Sequence, residues 1–277
     1  MQLTDIPQIE LNKNKWNLIK SSLFTSKNPS IDNLLQILNK SDYSQHKYAW
    51  ISFCNVISKQ YHKIKKQISE IDIEKLDKSG SFDFYLRGNM NIKLEFPINY
   101  AILYVLDDPM MSITPMEIQS HINPYLWSHG NVLIAGLGLG FIANQIVKKD
   151  SVKSVDVIEL EQEIIDIYYE TFPLNSKLKI IKSNIFEFES KKPYDYVYLD
   201  IWDKFSFERM LKSTEDLIAR KNKGLLNFTN ISFWTVEDAI WNDIFEGNFH
   251  FKDYLKKYHI EFGETEILNL YRLLRGI

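Results

Sequence analysis

From Asn131 onward the sequence alternates short apolar runs with helix-patterned segments, and this alternation restricts the fold more than any other feature. "NVLIAG" reads as a buried strand, "GFIANQIVKK" as a helix, "VKSVDVIEL" as a second strand and "EQEIIDIYYETF" as a second helix. "KLKIIKSN" and "YDYVYLD" read as third and fourth strands, "FERMLKSTEDLIARK" as a helix and "KGLLNFTN" as a fifth strand. Short apolar strands separated by helices predict a mostly parallel, doubly wound sheet covered on both faces. In such sheets ligands sit outside the carboxyl ends of the strands. That is where the distinctive residues fall.

The turn after the first strand holds Gly136, Gly138 and Gly140, three of only ten glycines in 277 residues. Glycines there let backbone N–H groups face a ligand that side chains would block; a tight turn with close helix packing is the plainer alternative. Glu159 ends the second strand nineteen positions after Gly140, close to the roughly 20 expected of a carboxylate that accepts ribose hydroxyls. The dinucleotide fingerprint GxGxxG/A fails, because its sixth position is the bulky Phe141, where close helix–strand packing calls for a small residue. The chain shows GxGxG instead, a loop not shaped around a pyrophosphate.

Two further strand ends carry candidates. In "SNIFEF" the Asn184 amide oxygen can accept from an adenine amino group and Ile185 can pack on the ring; Asn as a turn former is the alternative. "YDYVYLDIWD" places Asp200 directly after an apolar strand and Asp203 three residues on. Two carboxylates there could hold an amine, accept its proton, or balance a cationic cofactor, with a helix N-cap as the other role for Asp203. Trp202, Phe205 and Trp234 are candidates for an acceptor-pocket wall, or plain core.

The rest of the chain reads differently. Residues 1–78 contain "SIDNLLQILNK" and "HKYAWISFCNVISKQYHKIKKQISEI", with apolar residues at helical spacing. Residues 79–106 break into short runs around "SG" and "RGN", as strands joined by turns do. A net charge of -3 does not favour a nucleic-acid partner. The single cysteine, Cys54, rules out a disulfide framework and suits a reducing, cytoplasmic setting. No export signal or membrane span is expected. His121 and His129 lack metal-ligand spacing, so no metal site is expected.

"VLIAGLGLG", "VDVIELEQEII", "YDYVYLDIWD" and the preceding "LDDPMMSITPMEIQSHI" together resemble the spermidine synthase branch of the class I S-adenosylmethionine-dependent methyltransferase superfamily, from about Leu106 to Asp203. The resemblance implies a Rossmann-like domain over 107–277 that binds S-adenosylmethionine or its decarboxylated form. It implies Gly136, Gly138, Gly140 and Glu159 as cofactor contacts, beside Asn184 and Ile185, where the resembling families usually carry Asp at the position of Asn184. Asp200 would activate an amine nucleophile, with Asp203 as the second acid. The chain departs from the aminopropyltransferase pattern "LDGxxQ…DE" at Met111 and Met116, which stand where that branch has Gln and an acid. On that departure the expected activity is methyl transfer to a small-molecule or amine acceptor. Two alternatives stay open: aminopropyl transfer from the decarboxylated cofactor, and a non-catalytic binding module that keeps the fold. A small-molecule acceptor is the expected partner, and a homodimer is allowed for.

Overall fold

The computed structural model describes residues 9–11, 29–40, 43–76, 81–84, 90–94, 98–201 and 207–234. They fall into two compact units, one ending at Ile122 and one beginning at Asn123. In the first, β1 (Ile9–Leu11) precedes helices α1 (Ile31–Lys40) and α2 (Tyr43–Ser58). The Ser30 Oγ accepts the Asn33 N–H at 3.2 Å, satisfying one of the donors that a helix start leaves open. Helix α2 lies deep in its unit: Trp50, Ile51 and Phe53 are fully buried and Cys54 and Ile57 nearly so. Burial pushes the Cys54 thiol well up, which leaves it an unreactive core group.

Beyond Ser58 the helical reading of "HKYAWISFCNVISKQYHKIKKQISEI" is corrected, because the chain enters β2 (Ile64–Lys65) and β3 (Ser69–Leu76). The period changes from helical to alternating: Ile71 and Ile73 interleave with Asp72 and Glu74, and cross-strand ion pairs join Lys63 to Asp72 and Lys65 to Glu70. There follow β4 (Ser81–Phe84), β5 (Met90–Leu94), β6 (Ile98–Val105), β7 (Asp108–Ser112) and α3 (Pro115–Ser120). The strands make an antiparallel sheet in the order β2-β3-β6-β7 and a small sheet in the order β1-β5-β4. Strands β6 and β7 are joined through Leu106 and Asp107, both left-handed at φ 52 and 66, the backbone that a two-residue hairpin turn requires.

Helix α4 (Ile122–Trp127) leads into the second unit, which continues as β8 (Gly130–Ala135), α5 (Phe141–Ile146), β9 (Val152–Glu159) and α6 (Gln162–Thr171). It goes on through β10 (Leu178–Lys182), β11 (Ser190–Leu199), α7 (Phe207–Asn222) and β12 (Leu226–Phe233). The sheet order is β10-β9-β8-β11-β12 and every neighbouring pair is parallel. The pattern after Asn131 therefore folds as predicted, into a Rossmann-like α/β sheet. Two of its inner strands have almost no exposed surface: Val132 to Ala135 on β8 and Tyr196 to Leu199 on β11 are at most 1% exposed, as expected of strands covered on both faces. The chain winds outward from β8 through β9 to β10, then reverses through β11 to β12. This puts the topological switch point between β8 and β11. Among the described residues no helix is long and apolar enough to cross a membrane.

Candidate functional site

The ends of β8 and β11 are held close at the switch point. The Asp200 N–H donates to the Ala135 carbonyl at 2.8 Å, and the Gly136 N–H to the Ile158 carbonyl at 2.9 Å. Gly136 has φ +94, and a Cβ built on it would lie 1.8 Å from the Asp200 carbonyl oxygen. A side chain is excluded there by the neighbouring strand. Gly140, at φ +71, is similar: its Cβ would lie 2.4 Å from Tyr168 Cδ2. Two of the three glycines thus answer to the protein's own packing, and Gly138, between them, is partly exposed and left-handed at φ 49.

Glu159 ends β9 beside this loop and is 7% exposed. Its Oε2 accepts the Leu137 N–H at 2.8 Å and its Oε1 the Glu161 N–H at 2.9 Å. One carboxylate thus ties the glycine loop to the start of α6. An ionised carboxylate has about four lone-pair sites, so capacity remains for a hydroxyl donor such as that of a ribose. Burial raises the Glu159 carboxyl above its ordinary range, while the backbone N–H groups of Glu161, Leu137 and Leu160 pull against that rise. The donors keep the charged form usable in a buried place.

The third strand end lies alongside. The Ser183 N–H donates to the Glu159 carbonyl at 3.0 Å, which brings the next residue, Asn184, near the acid. The Asn184 Oδ1 accepts the Phe186 N–H at 3.0 Å, and its carbonyl accepts from Glu187 and Phe188. Asn184 therefore builds the turn, and one lone pair of its amide oxygen is already engaged. Ile185 is 5% exposed within a core cluster that includes Leu133, Ile158 and Leu199. Asp200 is half-buried at the end of β11. Asp203, Trp202 and Phe205 lie outside the described residues. Trp234, just past β12, donates its N–H to the Leu199 carbonyl at 2.8 Å.

The structure thus gathers Gly136, Leu137, Glu159 and Asp200 at adjoining strand ends. It also adds two residues that the sequence reading missed, Tyr168 and Asn144, which pack on Gly140. Nothing local in the sequence marks them, since Tyr168 looks like any core-facing position of α6.

A doubly wound sheet with a glycine loop and an acid at neighbouring strand ends defines a class I methyltransferase-like fold. Within that class, the chain is similar in sequence to polyamine aminopropyltransferases. It is 27% identical over 173 residues to a polyamine aminopropyltransferase of Clostridium beijerinckii, covering 59% of this chain and 55% of the relative. It is 23% identical over 163 residues to another from Lachnospira eligens, covering 55% and 54%. The chain thus matches about half the length of the curated relatives. Among solved structures, a spermidine synthase from Thermotoga maritima aligns at 17% identity and a TM-score of 0.35, over 60% of this chain and 55% of that one. No family model matches.

These relatives correct one expectation. Methyl transfer was expected, whereas the curated relatives are aminopropyltransferases. The physical reason for the error is that both reactions start from an adenosyl sulfonium. A glycine loop, a ribose acid and a carboxylate at the reactive end serve either group, so those residues do not discriminate.

Proposed function

We propose that this chain is a spermidine synthase-like aminopropyltransferase that uses decarboxylated S-adenosylmethionine and an amine acceptor. The similarity to polyamine aminopropyltransferases carries this reading. The geometry supports a role for each residue: Glu159 accepts from the ribose with its remaining lone-pair capacity, and Asn184 and Ile185 border the adenine. Gly138 gives the loop its open backbone, while Gly136 and Gly140 hold the loop's path.

The chemistry follows from the cofactor. The acceptor nitrogen attacks the aminopropyl carbon bonded to the sulfonium, the carbon–sulfur bond breaks, and methylthioadenosine leaves with the electron pair. The nitrogen must first be an uncharged amine, so a proton has to be removed. Asp200 is the proposed base, standing where β11 ends against the glycine loop, with Asp203 as the second acid. Alignment of nitrogen, carbon and sulfur supplies the rest of the rate.

Isothermal calorimetry tests the reading. Decarboxylated S-adenosylmethionine should bind more tightly than S-adenosylmethionine, and turnover with a panel of diamines and monoamines should release methylthioadenosine. Binding of neither cofactor, or release of S-adenosylhomocysteine instead, would defeat it.

A further inference from the structure

Two contacts hold the end of the glycine loop and neither was visible in the sequence. The Tyr168 ring lies against Gly140 so closely that a Cβ there would meet Cδ2 at 2.4 Å and Cε2 at 2.6 Å. The Tyr168 hydroxyl donates to the Asn144 Oδ1 at 2.8 Å. Asn144 in turn donates its backbone N–H to the Gly140 carbonyl at 3.0 Å, and its Nδ2 would stand 3.7 Å from a Cβ on Gly140. Among the described residues that Nδ2 is buried without a hydrogen-bond partner. The Asn144 amide is therefore oriented by the Tyr168 hydroxyl. Tyr168 is only 3% exposed, and its ring packs further on Tyr169 and Phe172, with centroids 5.7 and 5.2 Å away. Burial pushes its phenol far up, so it remains a neutral donor.

The loop is thus gripped twice. From the end of β9, Glu159 bridges the Leu137 and Glu161 N–H groups; from helix α6, Tyr168 meets Gly140 and Asn144. We propose that Tyr168, through its ring on Gly140 and its hydroxyl on Asn144, is a positioning residue that fixes the glycine loop in the shape that receives the adenosyl cofactor. The link to the cofactor rests on the aminopropyltransferase reading; the lock on the loop does not. Without the lock, the left-handed Gly140 would sample other backbone states and the cofactor would meet a loop that has to be ordered on binding, at a cost in affinity.

The test uses the full chain with Tyr168→Phe, Asn144→Ala and the double variant. Tyr168→Phe keeps the ring and loses one buried hydrogen bond, so the protein should fold. Amide hydrogen exchange without ligand should speed up about tenfold at Gly140 to Asn144, while β9 and β11 keep their rates. The dissociation constant for decarboxylated S-adenosylmethionine should rise roughly fivefold to tenfold, with kcat within about twofold of the wild type. In the Asn144→Ala background, Tyr168→Phe should add nothing. Unchanged exchange at Gly140 to Asn144 overturns the lock. Faster exchange with unchanged affinity overturns its link to the cofactor. If the wild type binds neither adenosyl cofactor, the aminopropyltransferase reading fails, and the exchange experiment still decides whether Tyr168 positions the loop.

Discussion

Replacing Gly136 with alanine tests whether the glycine loop is shaped by its neighbour strand. The new Cβ would sit 1.8 Å from the Asp200 carbonyl oxygen, where ordinary contact begins near 3.4 Å. The obstacle is backbone on both sides, so the ends of β8 and β11 would have to part by more than an ångström. That movement threatens the Asp200–Ala135 and Gly136–Ile158 hydrogen bonds, at 2.8 and 2.9 Å. Left-handed backbone costs a non-glycine residue about 1–2 kcal/mol, and each lost bond about 1 kcal/mol. Together these give a loss of about 3–4 kcal/mol, or roughly 10 °C in Tm for a domain of this size. Gly224→Ala is the control: its φ is +68, but a Cβ there meets nothing within 4 Å, so it bears only the backbone strain, worth about 1–2 kcal/mol. Scanning calorimetry of both variants reads the difference. Equal shifts in Tm would show that the approach of Asp200 does not govern Gly136, and the packing argument would fall.

Glu159 carries a prediction about pH. Its folded-state pKa is raised, chiefly by burial, so the stability this group contributes is complete below the ordinary carboxyl range and is lost as pH rises through the raised value. The advantage of the wild type over Glu159→Gln should therefore shrink as pH rises from the ordinary carboxyl range, about pH 4, through the raised value, as read from denaturant midpoints; an advantage that grows with pH would contradict the burial argument. The same variant offers one carboxamide oxygen where two backbone N–H groups now find acceptors, and its affinity for decarboxylated S-adenosylmethionine should fall at least tenfold by calorimetry. Asp200→Asn should leave that affinity within about twofold and lower kcat by about 10²–10³; wild-type turnover would remove Asp200 from the proton transfer.

Much of the fold was legible because the relevant signals are local. The apolar runs at Val132–Ala135 and Tyr196–Leu199 show that two strands are buried on both faces, and the segments between the strands carry helical spacing. The misreading after Ser58 came from a region where Lys, Ile and Glu recur closely enough to fit either period. There the pairing of β3 with β6, between residues far apart in sequence, decided for strands. The site was legible in part for the same reason: Glu159 and Asp200 each end an apolar strand, and strand ends can be read locally.

By itself the sequence determined the order of strands and helices from Asn131, the sharp turn at Gly136 to Gly140, and the acids at the strand ends. The tertiary structure alone decided the strand order that sets β8 beside β11, and with it the pressing of Gly136 against the Asp200 carbonyl. It also decided that Asn184 spends an amide lone pair on its own turn and that Tyr168 closes over Gly140. The difference is physical. Periodicity and turn chemistry act over a few residues and leave a mark in the sequence, whereas the distance between two strand ends, or between a helix face and a loop, depends on how the crossovers pack, which no short stretch of chain records.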